Sequence, residues 1–216
     1  MLTQLFDCSR DDERDLGLEA ATTALRRGQL VVLPTDTVYG VAADAFTPTA
    51  IEALLTAKGR DRTMPVPVLV ASQSMLDAVV DQLPEAGRRL ADACWPGALT
   101  LVVRHTAHLA WDLGDTRGTV AVRMPDHPLV LELIGRTGPL GVSSANRSGH
   151  PPATTMLDAR LQLGAAVAVY LDGGPCASAT PSTIVDVTGD PPRVLRLGGI
   201  ELPRLRELVP DIAESA

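Results

Sequence analysis

The length of its apolar runs constrains this chain most. Leu30 to Leu33 (LVVL), Pro65 to Ala71 (PVPVLVA), Leu99 to Arg104 (LTLVVR), Thr119 to Met124 (TVAVRM), Leu140 to Ser143, Val167 to Leu171, Thr183 to Val187 and Val194 to Leu197 are all short, and Gly, Pro or polar clusters bound most of them. Such runs fit buried strands, and the longest apolar stretch, Ala165 to Leu171, is far too short to span a bilayer. Helical spacing appears between them. Asp11 and Asp12 open a helix with apolar positions Leu16, Ala20, Ala24 and Leu25, ending at Arg26-Arg27-Gly28. Further helical patterns cover Met75 to Val80, Glu85 to Cys94, Leu129 to Ile134, Met156 to Leu163 and Pro203 to Val209. Strands outnumber helices, and their spacing alternates between hairpin and crossover lengths. The sequence therefore predicts an α/β fold, one domain around a twisted mixed sheet with flanking helices.

A chain of 216 residues with 45% apolar residues can bury a full core in one domain. The expected core spans about 14–200, with a short closing helix at 202–209. Aromatic residues make up only 3%, so the core must be aliphatic, and stacking platforms for single-stranded nucleic acid are nearly absent. A net charge of −7 argues against broad binding to a phosphate backbone. Cys8, Cys94 and Cys176 are scattered without a C-x-x-C pair, which indicates neither a disulfide framework nor a structural zinc site. The amino terminus lacks the basic and apolar regions of a signal peptide, so a cytoplasmic protein without membrane contact is expected.

Polar specificity concentrates between Leu33 and Pro65. After the LVVL run, Pro34 ends the strand and Thr35-Asp36-Thr37 supplies two hydroxyls and a carboxylate, where open α/β sheets place ligands. Gly40 closes that loop. Thr47 then reads as an N-cap with Pro48 at the first helical position, and Ile51, Leu54 and Leu55 form a stripe that carries Lys58 to the last turn, before Gly59. Lys58 is the only lysine among 19 basic residues. With Arg60 and Arg62 it makes a cation cluster suited to phosphate or carboxylate, although cations at a helix C-terminus also complement the dipole from solvent.

Neither a P-loop nor a G-x-G-x-x-G turn nor a G-x-S-x-G elbow occurs. What remains is hydroxyls and cations at strand ends: Thr35, Thr37, Lys58, Arg60, Thr119, Arg123, Ser144, Asn146, Ser182, Thr183 and Arg196. Such a set orients anions and offers no obvious nucleophile or general base, which suits transfer between bound substrates by positioning and electrostatics.

PTDTVYG, then KGR, then SSAN (Ser143 to Asn146) followed by Ser148-Gly149, then PSTIVD (Pro181 to Asp186) and VLRLG (Val194 to Gly198), in this order, resembles the YrdC family over about 29–199. Its short, single-domain branch is the nearest in form. The resemblance implies an L-threonylcarbamoyl-AMP synthase that uses L-threonine, bicarbonate and ATP, with Mg2+ accompanying the nucleotide, in the threonylcarbamoyladenosine modification of tRNA. It implies catalytic roles for Lys58 and Arg60, an L-threonine site at Thr35, Thr37, Arg123 and Ser182, and an ATP site at Arg60, Thr119, Ser144, Asn146 and Arg196. No resident metal site is implied. Downstream tRNA threonylcarbamoyl-transfer proteins are the implied partners, with weak or no direct tRNA binding by the chain itself. Many family members have a proline after K-G-R and a histidine further on, where this chain has Asp61 and the apolar run Val66 to Val70. A carbamoyl-adenylate-handling enzyme acting on another amine, or a non-catalytic RNA-binding module, are the competing readings.

Overall fold

The computed structural model describes residues 2–214. Its frame is a mixed sheet of eleven strands among the described residues, flanked by helices on both faces. In chain order the strands are β1 (Gln4–Asp7), β2 (Val31–Leu33), β3 (Gly40–Asp44), β4 (Val68–Leu69), β5 (Leu99–Arg104), β6 (Thr119–Arg123), β7 (Leu140–Ser144), β8 (Val169–Asp172), β9 (Thr183–Asp186), β10 (Arg193–Arg196) and β11 (Ala213–Glu214). Their spatial order is β1-β8-β2-β3-β7-β4-β6-β5-β9-β10-β11. The helices are α1 (Asp11–Arg26), α2 (Pro48–Lys58), α3 (Gln73–Val79), α4 (Glu85–Cys94), α5 (Pro128–Thr137), α6 (Met156–Leu163) and α7 (Leu202–Leu208). None is long and apolar enough to cross a membrane.

The apolar runs became strands because their alternate residues find a core on each face. Val32, Val41, Val68, Leu101, Val122 and Val185 point to one side, where Ile51 and Leu54 of α2, Leu76 of α3, Leu90 of α4 and Leu205 of α7 cover them. Val31, Leu33, Ala42, Leu140 and Val142 point to the other, under Leu18 and Leu25 of α1 and Val130, Leu133 and Ile134 of α5. Burying each such side chain contributes about 1.5–3 kcal/mol. This second cover extends only over the β8-β2-β3-β7-β4 half. On the β6-β5-β9 half the same face carries Thr119, Ala121 and Arg123, then Thr100 and Val102, then Ser182 and Ile184, and no helix core lies over them.

Three strands escape the sequence pattern. Gly40 does not close a loop; it starts β3, which sits in mid-sheet between β2 and β7. Its segment, GVAAD, is mostly alanine and glycine, with little intrinsic β signal, and tertiary pairing overrides that. β1 and β11 are short edge strands whose pairing alone defines them. Conversely, the run from Pro65 to Ala71 contributes only two ladder residues. Pro65 and Pro67 lack an N–H, so Pro67 serves only as an acceptor, for Val142 N at 2.8 Å.

Candidate active site

Where the α1/α5 cover stops, a cavity of about 230 Å³ opens at the strand ends. Thr35, Thr37, Arg60, Arg123, Ser144, Ser182 and Arg196 all line it, so residues from widely separated motifs converge at one place. Leu69, Val142 and Ile184 supply an apolar wall.

The turn after β2 is built to present Thr37. The Thr35 hydroxyl donates to Val38 O at 2.6 Å and accepts from Thr37 N at 3.1 Å, so it is occupied in holding the turn. Thr37 Oγ1 in turn accepts from Arg123 Nη1 at 2.9 Å. Arg123 ends β6 with its side chain 8% exposed, and it is held at two further points. Nε donates to Gly97 O at 2.9 Å and Nη2 to Asp36 Oδ1 at 2.6 Å. Asp36 is itself fixed by Asp126 N at 3.1 Å. Burial pulls the Arg123 pKa down and Asp36 opposes that, so the guanidinium is a charged, compensated fork with donors to spare.

The other guanidiniums lack such compensation. Arg196 uses Nε and Nη2 on Ser182 O, at 3.1 and 2.6 Å, which locks the start of β9 to the end of β10. Burial and the charge of Arg123 lower its pKa. Arg60 reaches Ser143 Oγ from Nη1 at 3.1 Å, while its Nε is buried without a partner. Burial lowers its pKa, Asp61 opposes this and Arg196 adds to it. Neither Arg60 nor Arg196 forms an ion pair among the described residues. The cavity thus has unbalanced positive charge, which an anion would neutralise.

Ser182 Oγ shares a hydrogen bond of 2.8 Å with Thr100 Oγ1. Gly198 is required beside them, since a Cβ there would lie 2.2 Å from Pro181 O.

Several expected site residues stand apart from the cavity lining. Lys58 is 3% exposed and donates to the main-chain carbonyls of Ser144 and Asn146. Asn146 is 7% exposed; its Nδ2 donates to Arg147 O and His150 O, and its Oδ1 is buried without a donor. Thr119 lies on the same sheet face as Arg123 but four residues earlier, about 13 Å along the strand, with its hydroxyl donating to Thr116 O. Thr183, part of the anion-orienting set, points into the core side and ties Gly198 N and Ile200 N to Oγ1. Arg62 leaves the cation cluster altogether and pairs with Asp112. The reverse also holds: Thr100 and Ser143 shape the site although neither was among the expected site residues, and Asp36, noted only as a carboxylate at the strand end, proves to be the partner of Arg123. Thr100 had a legible signal, a polar residue on a buried strand facing the same way as Arg123.

Known proteins resemble this chain in both sequence and architecture. The family described as Telomere recombination (Sua5, YciO and YrdC proteins) matches residues 23–198. This chain belongs to the Sua5/YciO/YrdC family. A Mycobacterium tuberculosis member, provisionally named threonylcarbamoyl-AMP synthase, is 52% identical over 208 residues, covering 96% of each chain. A Bacillus subtilis member, named threonylcarbamoyl-AMP synthase, is 36% identical over 205 residues, covering 90% of this chain and 57% of its own. The crystal structure of Pyrococcus abyssi Sua5 complexed with L-threonine superposes with a TM-score of 0.92 at 31% identity, covering all of this chain and 63% of that one. The Sua5-like core therefore accounts for this whole chain, whereas the Bacillus and Pyrococcus members extend well beyond it.

Among the described residues, no three His, Cys, Asp or Glu side chains converge as a metal site.

Proposed function

We propose that this protein is an L-threonylcarbamoyladenylate synthase, which joins L-threonine, bicarbonate and ATP into threonylcarbamoyl-AMP with release of pyrophosphate, for the threonylcarbamoyladenosine modification of tRNA. One observation carries the reading: a single cavity pairs one charge-compensated arginine with two uncompensated ones. Arg123, balanced by Asp36, suits a single amino-acid carboxylate read by geometry. Arg60 and Arg196 suit the several negative charges of a triphosphate. Relatives named for this activity, and the L-threonine bound to Pyrococcus abyssi Sua5, support the same assignment.

Arg123 takes the threonine carboxylate on the donors that Asp36, Thr37 and Gly97 leave free. The Thr37 and Ser182 hydroxyls face the amine, and Thr35 holds the turn behind them. The apolar wall of Leu69, Val142 and Ile184 accepts the side-chain methyl. The amine attacks the carbon of bicarbonate and water leaves, giving a carbamate. A carbamate oxygen then attacks the α-phosphorus of ATP, and pyrophosphate departs. Arg60 and Arg196 stabilise the charge that develops on the phosphates. A cavity of about 230 Å³ is too small for both substrates, so the nucleoside extends along the open face of β6 towards Thr119. Ser144 and Asn146 flank its phosphates, and Mg2+ enters with ATP. Enclosure serves the chemistry, because a carbamate exposed to water loses carbon dioxide. The protein works in the cytoplasm and passes its product to tRNA threonylcarbamoyl-transfer proteins.

The test is purified protein with ATP, Mg2+, bicarbonate and a panel of amino acids, reading pyrophosphate and the mass of the nucleotide product. Release should require both bicarbonate and L-threonine and yield threonylcarbamoyl-AMP, with serine poorer because a methyl pocket is worth about 1–3 kcal/mol. Equal release after rigorous removal of bicarbonate refutes the reading.

A further inference from the structure

Lys58 is the only lysine in the chain, and the fold turns it away from the cavity it was expected to serve. Its helix, α2, packs through Ile51, Leu54 and Leu55, which carries the side chain inwards at the last turn. There the ammonium meets two carbonyls of one loop, Ser144 O and Asn146 O, the latter at 2.7 Å. The backbone returns the contact, since Ser148 N donates to Lys58 O at 2.8 Å. The end of α2 is thus tied at three points to the loop that follows β7. Gly59 in the left-handed conformation (φ 60°) then swings the chain so that Arg60, the next residue, enters the cavity.

The neighbourhood is a poor one for a cation. The acceptors are neutral carbonyls, and burial, aided by the nearby charge of Arg60, lowers the Lys58 pKa to about 8. A short surface lysine would avoid that penalty. What the ammonium achieves there is geometric: three donors on one atom converge two carbonyls of the segment that also carries the Ser144 and Asn146 side chains. With the loop so fixed, Ser144 lines the cavity and the Asn146 amide is locked by two bonds, its Oδ1 buried and without a donor.

We propose that Lys58 is a positioning residue: it sets the Ser144–Asn146 loop in the geometry that receives the nucleotide, and it touches neither substrate. This rests on the synthase reading for the identity of the ligand. It differs from the role that the motif alone implies, in which the lysine contacts the reacting groups.

Because the lysine is unique, protein grown with 15Nζ-lysine and 13C-carbonyl label gives one side-chain ammonium signal. Hydrogen-bond scalar couplings from Nζ to the Ser144 and Asn146 carbonyl carbons should be present in the free protein and persist when ATP and Mg2+ are added without threonine. Their loss on adding nucleotide, with a new coupling to phosphorus, overturns the proposal. In parallel, Lys58→Met should weaken ATP binding by about tenfold or more, as a misplaced binding loop does, while L-threonine affinity stays within about twofold. Unchanged ATP affinity with collapsed turnover would make Lys58 a catalytic contact and refute positioning, as would equal losses for both ligands. If the methionine variant does not fold, the couplings in the native protein still decide. If the native protein makes no threonylcarbamoyl-AMP, the synthase reading fails, while the couplings continue to report what Lys58 holds.

Discussion

Lys58 also makes a prediction about stability, separate from any ligand. The perturbation is pH, compared between the native protein and Lys58→Met. In the unfolded chain a lysine titrates near 10.4, and in the folded protein burial holds Lys58 at about 8. Between those values the unfolded chain binds more protons than the folded one, so stability must rise with pH through that window. Below about 8 both states are charged and the cost of burying the ammonium is fully present; above about 10.4 it is gone. The drop in pKa corresponds to about 3 kcal/mol. Other groups titrate in the same range with the opposite sign. Burial raises Cys8 to about 11 and raises Tyr39 too, so their contributions fall away as pH climbs. They are common to both proteins and cancel in the difference. Chemical unfolding at intervals from pH 7 to pH 11 should therefore show the native protein gaining about 2–3 kcal/mol on Lys58→Met, mostly between pH 8 and 10.5. At neutral pH the variant removes a buried charge but strands two carbonyls, worth about 1–3 kcal/mol each, so the offset between the curves carries no weight and the slope carries all of it. A difference that is flat in pH refutes the burial of a charged lysine at this position.

Three further outcomes test the site. Gly198→Ala should cost more than about 2 kcal/mol and sharply reduce threonine affinity, because its methyl meets Pro181 O at 2.2 Å and must displace Ser182, whereas Gly135→Ala, with nothing within 4 Å, should be nearly silent by thermal melting and calorimetry. Arg123→Lys keeps the charge but cannot hold Asp36, Thr37 and Gly97 at once, so calorimetry should show threonine binding weakened by about 2–4 kcal/mol; binding like the parent's would exclude Arg123 as the carboxylate fork. With a net charge of −7 the isolated protein should bind tRNA weakly and lose it as salt rises, and tight, salt-resistant binding in a filter assay would overturn that expectation.

The apolar runs determined the layered α/β architecture, because period-two burial on two faces leaves few other ways to satisfy them. LTLVVR and the helix Glu85–Cys94 have the bounds that their patterns indicate, and Pro48, Lys58 and Gly59 stand at their expected places in α2. The ordered motifs PTDTVYG, KGR, SSAN, PSTIVD and VLRLG placed the chain in its family, since local sequence is all that such recognition needs. Pairing order was not legible. β3 lies in mid-sheet on weak local propensity, and its neighbours β2 and β7 are more than a hundred residues apart in sequence, so only long-range hydrogen bonding could place it. Nor could spacing decide which polar side chains face the ligand. Arg60 and Arg62 sit in one short segment, yet the fold turns Arg60 into the cavity and gives Arg62 to Asp112. Lys58 carries a charge that invites a substrate, but direction is set by the packing of α2, and that packing spends the charge on the backbone of the neighbouring loop. Residue type fixes what chemistry a side chain can perform, whereas what it faces depends on contacts between segments distant in the chain.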